Sequence, residues 1–140
     1  MAILTTADYP AIRAALDVDL NATTLPDATI GQSIFVGAAE AELLRRVPDA
    51  ADLTGDDLAR VKRALVWLTA AYLAHSVVRV TSLTVQTRDL SYSRPTFNPD
   101  EKATELRSRA EVEIGMLVAP TQVAPGRPTM FTLAAGRRGW

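Results

Sequence analysis

The segment from Leu58 to Val80 constrains this chain more than any other. Within it Leu58, Val61, Leu65, Leu68, Tyr72, His75 and Val78 recur three or four apart, the spacing of one face of an α-helix. Val66, Trp67, Ala70, Leu73, Ala74 and Val77 fall on the remaining sides. A helix that is apolar on most sides is packed on most sides. In a chain of 140 residues such a helix must be the central one, and a subunit interface can cover part of it. The mostly apolar run Ala64 to Val80 contains His75 and is interrupted by Thr69, Ser76 and Arg79, so it is too short and too mixed to span a membrane. Thr54 and Asp57 stand at capping-box spacing before it, and Asp56-Asp57 suit the positive end of a helix dipole better than a metal pair.

The rest of the chain is read around that helix. At this length one domain with a substantial core is expected. Apolar residues make up 48% and charged residues 22%, ordinary for a soluble globular chain. Thr5 and Asp8 have capping-box spacing and predict a short helix from about Ala7 to Leu16, with Pro10 in its first turn and Ile12, Ala15 and Leu16 inward. Asp17 to Leu25 reads as a polar connection. Pro26 and Asp27 open a second helix expected to run to about Val47, with Ile30, Ile34, Ala38, Ala41 and Leu44 as its stripe. Gly37, beside Ala38 and Ala41, is read as a close approach of another helix. Pro48 ends the segment.

From Thr81 to Arg94, Leu83, Val85 and Thr87 alternate with Thr84, Gln86 and Arg88, which predicts extended chain or a short hairpin. A lone hairpin is marginal in water and must pack on the helices or pair with a neighbouring chain. Asn98, Pro99 and Glu101 then mark a helix start, with Ala103, Leu106, Ala110, Ile114 and Leu117 as the stripe to about Val118. After Ala119, Pro120, Pro125, Gly126 and Pro128 predict an extended arm. It carries Met130, Phe131, Leu133 and Trp140 with Arg127, Arg137 and Arg138. A docked Phe or Trp buries about 150–250 Å², worth several kcal/mol at about 25 cal/mol per Å². An arm of this composition is expected to dock on a partner or on its own domain. The fold expectation is therefore mainly all-α: about four helices around a long central one, an extended or hairpin loop before the last helix, a helical domain over residues 1–119 and an arm over 120–140.

The chemistry is defined by what is missing. Without cysteine there is no disulfide, thiolate zinc site or cysteine nucleophile. The single histidine, His75, sits in the apolar helix and reads as a core or interface residue rather than a member of a triad or zinc site. Glu40 and Glu42 point to different faces, and no phosphate loop or dinucleotide fingerprint occurs. Fifteen basic against sixteen acidic residues leave a net charge of −1, the wrong balance for a dedicated DNA binder. Arg45-Arg46 suit a helix C-terminus; Arg60, Lys62 and Arg63 read as a solvated face before a nucleic-acid contact. The arginine pair Arg137-Arg138 with Trp140 suits an acidic groove on a protein, or nucleic acid as the second choice. No catalytic residue, cofactor or metal site is expected. The N-terminal residues lack a charged region followed by a long apolar run, so no signal peptide is expected either.

Three stretches carry a resemblance. They are Leu4-Thr5-Thr6-Ala7-Asp8-Tyr9, the central run from Ala64 to Ala74, and Arg88-Asp89-Leu90-Ser91-Tyr92-Ser93-Arg94 before the last helix. With the order of elements, they make most of residues 1–118 resemble the head-tail connector (adaptor) proteins of long-tailed bacteriophages and gene transfer agents. The resemblance lies in layout and local composition, because that family has no invariant catalytic signature. It implies a non-enzymatic virion protein of the neck, made in the host cytoplasm: a helical subunit of a ring, in the family a dodecamer. The ring docks on the portal protein, receives a stopper or tail-completion protein on its other face, and lets double-stranded DNA pass without specific binding. Carried over by position, Met130, Phe131, Leu133, Arg137, Arg138 and Trp140 become the portal-docking residues. Val85, Arg88, Asp89, Tyr92 and Arg94 become the contact with a neighbouring subunit or the next ring. The competing readings are a stopper or tail-terminator subunit, and a small helical DNA-binding regulator using Arg60, Lys62, Arg63 and the Arg137-Arg138 tail.

Overall fold

The computed structural model describes residues 2–18, 20–83 and 97–118, and of 78–83 the backbone alone. The described chain is mainly helical and contains no strand. The Thr5 backbone N–H and hydroxyl both donate to the Asp8 carboxylate, at 2.8 and 3.0 Å, which starts a 3₁₀ turn over Thr6–Asp8 that leads into α1 (Tyr9–Ala15). Two residues beyond α1, Asp17 adopts φ 53°, the left-handed conformation that closes many helices and that Asp tolerates better than most side chains. The Asn21 side-chain oxygen then accepts from the N–H of Thr23 and Thr24, folding the connection to Pro26.

The expected continuous helix from Pro26 to Val47 is broken. Helix α2 spans only Asp27–Ile30, Gln32 is extended at ψ 142°, a π-helical turn follows over Ser33–Gly37, and α3 runs Ala38–Arg46. The interruption resets the register. Phe35, Val36, Ala39 and Leu43 are buried, whereas Ile34, assigned to the inward stripe, is 63% exposed and Ala41 is exposed as well. The close approach belongs to Gly31, not Gly37. A Cβ on Gly31 would stand 3.0 Å from the Tyr9 hydroxyl, while one on Gly37 would meet only Ser33 of its own turn.

Helix α4 spans Gly55–Leu83, so Thr81–Leu83, expected as the start of the extended stretch, are helical, because elongation gains one bond per residue fixed; the rest of that stretch lies outside the described residues. Thr54 and Asp57 form no capping box among the described residues; Gly55, at φ 61°, turns the chain into the helix instead. The inward face of α4 also differs from the expected stripe. Val61, Leu65 and Leu68 are fully buried, but His75 is exposed, and Ala70, Leu73, Ala74 and Val77 fill the core in its place. His75 is level with Asp100 in the first turn of α5, at the edge of the described helix pair, and its side chain is 60% exposed there. Helix α5, Pro99–Val118, begins as expected: the Asn98 side-chain oxygen accepts from the N–H of Asp100 at 3.1 Å. Leu106, Ala110 and Ile114 are fully buried, with Ala103 and Leu117 at the margin.

Helix α4 is packed against α1, α3, α5 and the π-helical turn. One polar atom sits wrongly in that core. Thr69 is fully buried on α4 and its hydroxyl has no hydrogen-bond partner among the described residues. An unsatisfied buried hydroxyl costs about 1–3 kcal/mol, and valine has nearly the same shape. Thr69→Val is therefore expected to raise stability by about 1 kcal/mol, seen as a higher urea midpoint at unchanged slope.

Candidate functional site

All the residues assigned to the portal and to neighbouring subunits lie outside the described residues: Val85, Arg88, Asp89, Tyr92 and Arg94 in the loop, and Met130, Phe131, Leu133, Arg137, Arg138 and Trp140 in the arm. The described residues supply the surface from which both segments depart.

Ion pairs fix α5 on that surface. On one flank α3 offers Glu42 and Arg46, one turn apart, to Arg107 and Glu111, also one turn apart. The Arg107 guanidinium donates to Glu42 at 3.3 Å and stacks 4.9 Å over the Tyr72 ring, whose hydroxyl donates to Glu42 at 2.6 Å. Arg46 grips Glu111 with two parallel bonds, one of 2.7 Å. On the other flank Arg60 and Arg63 of α4 both reach Glu113. Lys102, buried, lies between Asp17 and Glu105; burial alone would pull its pKa down, but the two carboxylates outweigh it and hold it above the ordinary lysine value. Lys62 meets Asp8, and His75 Nε2 lies 3.6 Å from Asp100 at the far end of the helix pair. The basic cluster Arg60, Lys62 and Arg63, read as a solvated face, is therefore paired with acids of its own chain.

The Arg46 guanidinium holds the Glu111 carboxyl below its usual value of 4.5. Asp8 is also lowered: burial raises it, but the Thr5 bonds and Lys62 outweigh burial. A carboxyl held low binds fewer protons in the folded than in the unfolded chain. Its contribution is complete above the unfolded value and is lost as pH falls through the folded one. Urea midpoints are expected to fall as pH drops below about 4.5, with a shallower fall in Glu111→Gln. Both partners are about half exposed, so added salt is expected to reduce the difference.

Among the described residues no three His, Cys, Asp or Glu converge on a point where they could hold a metal ion. An open groove of about 360 Å³ runs beside α1, lined by Pro10, Arg13, Ala14, Val18, Leu20, Asn21 and Ala22. Its polar groups are engaged elsewhere, Arg13 with Leu25 and Asp27 and the Asn21 oxygen with Thr23 and Thr24. No described helix is long and apolar enough to cross a membrane.

What the described surface does offer is apolar area. Its exposed large hydrophobics are Ile34, Val112, Met116 and Val118, the last three within two turns of α5. Sequence reasoning missed all four as surface features. Val112 and Met116 lie off the inward stripe of α5 and are recognisable once that stripe is drawn, whereas Ile34 was hidden by the broken register. No family model matches this sequence, and no curated protein or solved structure compared with it is significantly similar.

Proposed function

We propose that this chain is a structural virion protein, a head-tail connector (adaptor) subunit. It forms a ring with copies of itself, docks on a portal protein, and receives a stopper or tail-completion protein while DNA passes through the lumen. The observation that carries the reading is the order and length of the helices. A short first helix, an interrupted second, a 29-residue central helix and a 20-residue last helix precede a segment rich in apolar residues and arginine. Apart from the break in the second helix, that order of helices is the one on which the resemblance rests. A closed ring uses heterologous interfaces, so each subunit needs two different adhesive faces. Exposed Ile34 on the π-helical turn supplies apolar surface for one of them.

The DNA-binding regulator loses support, because Arg60, Lys62 and Arg63 each face an acid of their own chain. A stopper or tail-terminator of mainly β-structure fits poorly with the helical content. Electron microscopy of the purified chain, alone and mixed with the portal protein of the same genome, tests the proposal. Rings, or a ring-shaped layer added to the portal, are expected. A chain that stays monomeric, leaves the portal bare and binds duplex DNA with steep salt dependence would favour the regulator instead.

A further inference from the structure

One end of the helical body is both apolar and acidic. Val112, Met116 and Val118 are 57%, 55% and 55% exposed there. Helices α4 and α5 run antiparallel: Arg60 and Arg63, near the start of α4, reach Glu113 near the end of α5, while His75 lies by Asp100 near the start of α5. Arg60 also touches the Met116 sulfur. Asp56, one turn before Arg60, is therefore level with the last turn of α5 and beside the point where the chain leaves it. Asp57 adjoins it, and Asp49 and Asp52 lie in the connection from α3, whose last turn holds Glu111 through Arg46. All four aspartates are exposed and none is in an ion pair among the described residues; Arg45, at the end of α3, offsets one of them.

Residues 119–140 continue directly from this end. They contain three arginines and no acid, a net charge of +3, so residues 1–118 carry −4 of the chain's overall −1. They also contain Met130, Phe131, Leu133 and Trp140. Surface and segment thus agree in apolar character and oppose each other in charge. The distances suit them. Val112 is six residues before Val118, roughly 9 Å along the helix at 1.5 Å per residue. Met130 is twelve residues beyond Val118, a reach of up to about 40 Å. A tether of this length gives an effective concentration on the order of millimolar, so a weak site is filled.

We propose that residues 119–140 dock in cis on this end of their own subunit, apolar side chains on Val112 and Met116, which share one face of α5, and arginines beside Asp56 and Asp57. The docking does not depend on the connector reading. Its consequence does: the arm assigned to the portal would be covered in the free subunit and released only when a partner competes for it. Assembly would then begin at the portal rather than among free subunits.

The test uses the full chain carrying Trp67→Phe, which leaves Trp140 as the sole tryptophan. Blue-shifted Trp140 emission and protection from iodide are expected, unchanged over about a hundredfold dilution. Val112→Asp with Met116→Asp is expected to abolish the protection, and Asp56→Asn with Asp57→Asn to weaken it. Circular dichroism checks that each variant is folded, and the substituted side chains are exposed. Trp140 fully open to quencher, protected only as concentration rises, or protected regardless of the variants overturns the proposal; the second outcome assigns the site to a second copy. An open Trp140 in a chain that still forms rings would sink cis docking alone. A protected Trp140 in a chain that forms no ring and joins no portal would sink the connector reading alone.

Discussion

Replacing Leu65 with alanine is expected to destabilise the fold by about 2–5 kcal/mol, whereas Ile34→Ala is expected to change it by no more than about 0.5 kcal/mol. Leu65 has no exposed surface and lies at the middle of α4, the helix on which α1, α3 and α5 all pack. A helix held by several elements cannot follow a single neighbour into the space a leucine leaves. The lost transfer energy and the cavity both count. Ile34 reads in the sequence as an equal member of an inward stripe, and the chain break at Gln32 turns it to solvent. Urea unfolding of the two variants measures the difference directly. If Ile34→Ala cost as much as Leu65→Ala in the isolated chain, the helix would be continuous through Gly31 and Gln32. If it left the monomer untouched but impaired ring formation, Ile34 would belong to an interface between copies.

The same contrast marks where sequence reasoning reached and where it stopped. Helix starts were legible where side chains cap them locally. Thr5 with Asp8, and Asn98 followed by Pro99, state their hydrogen bonds within four residues, and the structure contains both. The inward stripe of α5 was legible because the helix buries one narrow face, on which Leu106, Ala110 and Ile114 recur four apart. Helix α4 was legible as central but not in register. It is apolar on most sides, and several stripes fit it equally well; His75 was placed inside by one of them. The π-helical turn was not legible at all. Nothing in Ser33–Gly37 forbids a regular helix, and the break follows from tertiary packing of Phe35 and Val36. The expected loop and arm contacts lie outside the described residues. The apolar end of α5 was legible in part: Val112 and Met116 fall off the inward stripe, and their exposure marks them as surface.

Removing the acid that faces Arg13 is expected to cost more than removing Arg13 itself. Arg13 belongs to α1 yet is buried, its side chain 10% exposed, and two groups hold it. Its Nε donates to the Leu25 carbonyl at 2.9 Å, and its Nη2 reaches the Asp27 carboxylate at the start of α2. The pair therefore ties the two short helices together. Asp27 is 52% exposed and hydrates readily if its partner is lost. The guanidinium does not have that choice. Asp27→Asn leaves a buried cation with a neutral partner, and a loss of about 2–3 kcal/mol is expected, somewhat below the value for a fully buried pair. Arg13→Met keeps the aliphatic bulk and removes the charge together with its desolvation penalty. It leaves the Leu25 carbonyl without that donor, a cost of about 1 kcal/mol. The double variant should match Arg13→Met within about 0.5 kcal/mol, because the acid has nothing to stabilise once the cation is gone. The difference between the single variants should persist in high salt, since the guanidinium is shielded from counterions. Were Arg13→Met the more damaging change, the Leu25 hydrogen bond, and not the ion pair, would be what holds α1 against α2.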